Sequence, residues 1–583
     1  QNQTKYLKVD SARVQWWKSP NDWLLFGNQV RLRTDRNIPD PFAFSYLQGQ
    51  QEGVLTLNEV DITAVSQLFS LFSATKELAI LAESDVSGLV EELQLSWGKE
   101  LDIAGQLSVK DFAFKPLEQA DKAYLGLEQL QMEAYWLKDK LWLDIQGEDG
   151  QLLTADTFSE LIDYKTLQIN GLIDWGDAQF QMSLPKIELV NDEIDLKLAA
   201  SYVAAEVPHF DLYGEVTGPT QGNINKYLPR HLINAETYNY LNKAIQQGRG
   251  ETTQILMSGN PKQMPYSDLS GSSQFGRFIV HANIADALFR FDPEWPALEE
   301  LNATLTVDNS TMVIAAQTGQ FGKLTLDHDV VARIGLDTDN TDLHLALRPK
   351  ALELTHFHDL IDHSPLEQII GDVFDFVRLE GGSSANVDIT IPLDDNLDQN
   401  GQEMEVVAKG MVSTSSANVS MPAINLGFTQ VNSNVRFHNA VFSVDADSAN
   451  LFGLPVNFVV EGGQKSTGYE LDGELIALWS KKQIADLYPL PVMKYANGKT
   501  NTSVKVKVNI NEDEYQYFVD SKTDLTHVEY DITHPIRSKI GEYSSLGWTL
   551  LGDQNSNSLF ANLDDLVHFE GEIPNGAGRI TQA

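Results

Sequence analysis

The chain has no cysteine among its 583 residues, which excludes disulfide frameworks, thiolate metal sites and cysteine nucleophiles together. Basic residues are scarce. Lys and Arg number 42 against 82 Asp and Glu, a formal charge of −40. Phosphate binding needs a basic face, so nucleic acid is not an expected partner. The same charge argues against docking on an anionic membrane surface through side-chain electrostatics, and it favours solubility. No run approaches the ~18 apolar residues of a membrane-spanning helix, and Gln1-Asn2-Gln3 opens no secretory signal. The expectation is therefore a piece of a longer protein, with any membrane anchor outside it. Catalytic signatures are missing as well. No G-x-S-x-G, P-loop or G-x-G-x-x-G stands between a strand and a helix, nothing pairs a nucleophile with a base, and no cofactor is implied. Paired acids are plentiful, but in a chain this acidic their proximity predicts no glycosidase geometry.

What is present is period-two texture. In 299–322, Leu301, Ala303, Leu305 and Val307 alternate with Asn302, Thr304, Thr306 and Asp308. Asp308-Asn309-Ser310 supplies turn chemistry, and a second strand follows from Thr311 to the Gly319 and Gly322 breaks. This spacing predicts a β-hairpin with one apolar face. The text returns further on: Val431 to Asn439 matches Leu301 to Asn309, and Phe442, Val444 and Ala446 match Met312, Ile314 and Ala316. Both copies end in an aromatic-Gly pair, Phe321-Gly322 and Phe452-Gly453. A sheet pattern used twice suggests a repeating scaffold.

Strand texture fills most of the remainder, and five blocks are expected. Residues 1–85 are strands with a helix near 61–76, and 86–220 are a first strand-rich block. Residues 221–355 begin with a helix at 226–248 and continue as a second strand block containing the hairpin. Residues 356–478 begin with a helical stretch to about 378, divided at Ser364-Pro365, and continue as a third. Residues 479–583 hold a short helix at Lys481–Leu487, more strands and a polar tail. In Leu141-Trp142-Leu143-Asp144-Ile145 the alternate position is also apolar, which hints at burial on both faces. The helices are too few to cover so many apolar strand faces. Two solutions remain open on this texture: a sheet closed on itself as a sandwich or barrel, or a trough whose inner wall is covered by something apolar that is not protein.

Four clusters invite a functional reading. His356, His358 and His363 with Asp359 and Asp362 are similar to a metallo-hydrolase zinc cluster, but the spacing is too long and the Gly-rich continuation is missing. Polar helix positions explain them better. Asp394–Gly401 looks like the start of a calcium loop but has Val407 where a bidentate carboxylate belongs, and Asp337–Asp342 has the same look. Solvated hairpin tips account for both. Trp295-Pro296 with Phe289 and Phe291 reads as an aromatic plug at a sheet end rather than a ligand platform.

An ordered series of residues then carries a resemblance. Tyr227-Leu228-Pro229, Gly248, Gly259, Pro265, Gly271, Phe275, Trp295-Pro296, Leu298 and Leu301 resemble the AsmA-like superfamily of Gram-negative bacteria, in particular its long YhdP branch. Ser364-Pro365-Leu366, Gly381 and Ile391-Pro392-Leu393 extend the match, so its specific part spans about 225–395. The resemblance implies a mainly β fold with a few short helices. The antiparallel sheet would be elongated and curled into a hydrophobic groove, a β-taco. It also implies a non-enzymatic phospholipid carrier in the periplasm, held to the inner membrane by a helix missing from this chain and moving lipid towards the outer membrane. Phospholipids are the implied partner, and the membranes are reached through regions outside the chain. On that reading the expected lining is Leu301, Ala303, Leu305, Val307, Val431, Val435, Phe437, Phe442 and Val444. The alternative is a structural or adhesive β-sandwich without lipid.

Overall fold

A computed structural model of the chain describes residues 8–33, 41–62, 85–99, 103–115, 126–153, 158, 160–176, 179–218, 224–227, 235–336, 342–367, 377–392, 406–422, 426–465, 468–487, 495–511, 514–530, 545–564 and 567–574. Strands dominate these residues. Thirty-three are described against three α-helices, Ala235–Ala244, Leu354–Asp362 and Lys481–Leu487. The chain divides into two units: Gln1–Leu288 with Asn302–Ile314 and Gly335–Thr341, and Phe289–Leu301 with Ala315–Ile334 and Asp342–Ala583.

In the first unit an antiparallel meander runs from Lys8–Lys18 to Ile245–Gly259, each strand pairing with the next in sequence. In the second, a meander runs from Val330–Gly335 through Asp342–Leu347 and Gly382–Pro392 to Val567–Pro574. Neither closes among the described residues. Lys8–Lys18 pairs only with Trp23–Arg33, and Val567–Pro574 only with Ser556–Leu563. Both units are thus curled, open antiparallel sheets.

The curl has a local backbone cause. In the first unit the register slips between Gly27 and Val30, Ser87 and Leu89, Val109 and Phe112, and Leu127 and Leu130. Left-handed residues sit along that line, Gln29, Glu59, Asp111, Gln129 and Asp149, with φ from +48° to +63°. In the second unit the slips fall between Thr414 and Ala417, Thr429 and Asn432, and Ala446 and Ala449, with Ser416 and Gln430 at φ +55° and +53°. An extra residue in one strand bends it and steepens its twist. A row of such bulges across successive strands therefore folds a sheet along a seam. Side chains at the seam are the most enclosed: Val90, Leu130, Ala417 and Val431 are essentially inaccessible.

The repeat seen in the sequence is a repeat of this device. Asn309 and Asn439 both adopt positive φ, +53° and +50°. Each side-chain Oδ1 accepts the backbone N–H of the preceding strand, from Phe278 and from Ala408, at 2.8 Å in both copies. Asn302 and Asn432 likewise accept the backbone N–H of the bulged residues Asp286 and Ser416, at 3.3 and 3.0 Å. Only Asn and Asp combine tolerance of the left-handed region with a short acceptor, which is why the turn text is repeated.

Several expectations meet the structure directly. The Ser19–Asp22 turn joins the first two strands, closed by the Ser19 N–H on the Asp22 carbonyl at 2.9 Å. The Lys481–Leu487 helix is present, and Ser364 Oγ accepts the Leu366 N–H at 3.3 Å, as an N-cap does. The helix expected at 226–248 is corrected. It ends at Ala244, and a strand begins at Ile245. Gly248 belongs to that strand rather than to a helix stop. Its φ is +156°, and a Cβ there would stand 3.3 Å from Ala287. Burial on both faces at Leu141–Ile145 is also corrected. Trp142 lies 41% exposed, on the face opposite Leu141 and beside Tyr135 and Leu172. The helix near 61–76 lies outside the described residues beyond Ile62, as do 368–376 of the later helical stretch and the acidic segments 393–405 and 337–341.

Candidate functional site: uncovered apolar faces

Residues directly opposite one another in an antiparallel pair share a face, so the pairing register traces rows across each sheet. In the first unit one row runs Val60, Val90, Val109, Met132, Ile145, Ile169, Ile187, Leu198, Gly214 and Ile255. Ten strands are crossed without a polar side chain. Nearer the hairpin tips a second row runs Leu25, Tyr46, Leu55, Leu95, Gly105, Trp136, Leu141, Ile173, Met182, Tyr202 and Phe210. The opposite face is the reverse. Asn58, Glu92, Ser108, Glu133, Asp144, Asn170 and Lys186 stand in register across it.

The second unit repeats the arrangement. Its central row is Ala385, Val412, Val435, Val444, Val460, Gly473, Val506, Val519, Leu550 and Leu559. A flanking row contains Gly410, Phe437, Phe442, Gly462, Leu471, Val508 and Tyr517. Behind them, Asn434, Asp445, Glu474, Lys505 and Asp520 face outward, broken by the exposed Val459.

Burial distinguishes these rows from a sandwich core. At the seam the side chains are fully covered, but Ile145, Ile169, Ile187, Val435, Val444, Val460, Val506 and Val519 are only half-buried. The principal helix contacts among the described residues fall on Ile245–Gly259, Leu352–Glu353, Arg378–Glu380, Gly468–Ser480 and Ala496–Asn511, so most of each face has no helix on it. Shielding comes from the sheet's own curvature. Glycines keep the wall thin where large rings lie down. A Cβ on Gly105 would stand 2.3 Å from the Trp136 ring, and one on Gly462 2.5 Å from the Phe442 ring. Each aromatic side chain thus covers the glycine of the neighbouring strand instead of standing into the open space.

The nine residues expected to line a groove distribute as follows. Leu301, Ala303 and Val431 are buried at 3%, 2% and 1% exposure, and Leu305 and Val307 are half-buried on Leu298–Asp308. Val435 and Val444 meet in the central row of the second unit, and Phe437 and Phe442 meet in the flanking row. Sequence reasoning passed over Val460, Val519, Leu550 and Leu559 and the first-unit rows from Leu25 to Ile255, although Ala303, Leu305 and Val307 of that unit were among the nine. The alternation of Val504, Val506, Val508 and Ile510 was legible, but which strands they face was not. The other clusters contribute nothing to these faces. His358 and Asp362 stand 3.9 Å apart, His363 Nδ1 contacts the Asp359 carbonyl at 2.8 Å, and no three metal-ligating groups converge among the described residues. Trp295 stacks on Phe321 at 6.3 Å and packs on Phe291 at 5.8 Å, fully buried as a plug. A cleft of about 500 Å³ lies among Asp472, Lys507, Phe518 and Leu551 of the second sheet and also touches Leu471, Val508 and Tyr517 of the flanking row.

Charge is confined to outer faces and tips. Hydrogen bonding by the Arg277 guanidinium holds the Asp308 carboxyl below its usual range, and the Ser258 hydroxyl does the same for Asp211. Burial pushes the Tyr469 phenol up to about 12, with its hydroxyl donating to the Ala440 carbonyl and its ring stacked on Phe442 at 6.2 Å. Burial, then the Glu128 charge, pushes Tyr164 to about 12.

Fold and faces together define a class: curled, open β-sheets whose described residues keep one side apolar, with few helix contacts among them. The chain belongs to the YhdP protein family, whose model matches residues 1–583. It is 22% identical over 489 residues to the intermembrane phospholipid transporter YhdP of Escherichia coli (strain K12), covering 78% of this chain and 36% of that protein. The chain thus spans about a third of the length of that relative. No solved structure matches it.

Proposed function

We propose that the apolar faces are grooves for phospholipid acyl chains. On this reading the chain is part of a carrier that moves phospholipid across the periplasm from the inner to the outer membrane, anchored by a helix outside this sequence. The observation that carries the proposal is the unbroken apolar register, ten strands in each unit, half-exposed over much of its length. Strands lie roughly 4.8 Å apart, so such a row extends about 45 Å, ample for extended acyl chains. Each methylene moved from water onto that surface contributes about 0.8 kcal/mol. Passage needs no bond to break, only a path of nearly constant free energy. Leu301, Ala303, Leu305, Val307, Val431, Val435, Phe437, Phe442 and Val444 belong to the proposed lining. A sandwich scaffold without lipid would need a second protein layer over these rows.

Photo-crosslinking tests this. A benzophenone amino acid placed at Val435 or Ile145 should capture phospholipid, identified by mass spectrometry, whereas the same group at the outward Asp445 or Asp144 should not. Equal capture on both faces, or none on either, would overturn the proposal.

A further inference from the structure

The apolar face of the first unit is graded from seam to rim, and the grading has a chemical meaning. The hairpin tips Lys18–Trp23, Gln48–Gly53, Trp97–Ile103, Leu137–Lys140, Asp174–Phe180 and Ala204–His209 all lie on one rim. Of the ten tryptophans in the chain, seven stand within two residues of a strand end on this rim; Trp16, Trp23, Trp97, Trp136 and Trp175 fall on the apolar face, while Trp17 and Trp142 fall on the outer one. The opposite rim of this unit has none. On the apolar face Trp16, Trp23 and Trp175 are substantially exposed, Trp16 at 68%, and Trp16 stacks on Trp23 at 6.1 Å. Away from the rim the face turns aliphatic. Along Gly126–Leu137 the inward residues are Leu130 at the seam, then Met132, Ala134 and Trp136.

Indole and phenol groups join an apolar body to a polar tip and settle where hydrocarbon meets water. Leu130 to Trp136 is six residues, about 20 Å at 3.3 Å per residue. Half the hydrocarbon thickness of a bilayer is about 15 Å. An acyl chain laid along a strand with its methyl end at the seam therefore brings its ester to the tryptophans. Lys18, Lys99, Lys138 and Lys140 stand at these tips among eight acids, the same two-to-one ratio as the whole chain, so a phosphate would be met by individual lysines and not by a basic rim. Lys18 Nζ lies 4.4 Å over the Trp23 ring, at the height where a phosphate would emerge.

We infer that the tryptophan-rich hairpin rim of the first unit is a subsite for the glycerol-ester and phosphate region of a phospholipid whose acyl chains point from it towards the bulge seam. This rests on the groove reading above and adds the lipid's orientation, with headgroups emerging over this rim and not the opposite one.

The test is intrinsic fluorescence of the full chain loaded with phosphatidylcholine carrying a nitroxide either on the headgroup or at carbon 16 of one acyl chain. A variant with Trp295→Phe, Trp479→Phe and Trp548→Phe leaves only the rim indoles. The headgroup label should quench them at least twofold more than the chain-end label. If that variant does not fold, the wild-type chain compared with Trp16→Phe, Trp23→Phe, Trp97→Phe and Trp136→Phe together serves instead. These four changes should then remove most of the headgroup-label quenching. Equal or stronger quenching from carbon 16, with labelled lipid retained by mass spectrometry, overturns the rim subsite and leaves the groove standing. Quenching that occurs only when the protein floats with vesicles makes the rim a bilayer contact and also overturns it. A chain that retains no phospholipid removes both readings.

Discussion

Two valines on one strand separate an open wall from a closed core. Val431 and Val435 share a face of Leu426–His438, but Val431 is 1% exposed among Ala417, Ala446, Ala449 and Val456, while Val435 is half-buried beside Val412 and Val444. Replacing either by Asp has different consequences. At Val431 the carboxyl must stay buried, and a pKa raised by ~3 units at 1.36 kcal/mol each amounts to about 4 kcal/mol. The lost valine burial adds ~2 kcal/mol. At Val435 the carboxylate reaches water across the uncovered face, so only the partial burial is lost, about 1 kcal/mol. Urea unfolding followed by far-ultraviolet circular dichroism should therefore show a much lower midpoint for Val431→Asp and a small shift for Val435→Asp. Lipid retention should fall in Val435→Asp although the fold persists, because a hydrated charge then interrupts the row. Equal destabilisation by the two substitutions would mean that Val435 sits in a dry interior, and the open-wall argument would fail.

Two further outcomes follow from the repeated turn and from the buried Tyr469 phenol. Asn309→Ala and Asn439→Ala should each cost about 1–2 kcal/mol, from a lost cap-like hydrogen bond plus left-handed strain. Asn439→Gly should cost less, since only the hydrogen bond goes; unfolding curves that rank Gly below Ala would refute the role given to positive φ. Because the Tyr469 phenol is raised from 10 to about 12 by burial, its contribution is complete below pH 10 and is lost as pH rises through 12. Tyr469→Phe should be slightly less stable at pH 7 and should flatten the alkaline decline, measured by unfolding between pH 9 and 12.

The sequence carried the local half of the fold. Alternation in Leu301–Val307 and Val504–Ile510 marked strands because period two is a property of one strand alone, and Asn309 and Asn439 marked turns because few residues accept their backbone. The helix end was misread at Gly248, where a glycine serves close approach to Ala287 instead of a stop. The rows were not legible, since they depend on register between strands, and each bulge shifts that register by a residue. Trp142 misled for a related reason: an apolar residue on the outer face looks like core until its exposure of 41% is known.

The left-handed positions along the seam have an evolutionary consequence. Because the bend is written in backbone conformation at a few polar residues such as Asp111, Gln129, Ser416 and Gln430, it does not depend on which hydrocarbon side chains pave the wall. Valine, leucine, isoleucine and methionine can then exchange there while curvature is inherited unchanged, so relatives can drift far apart in identity and keep the same bend in the sheet.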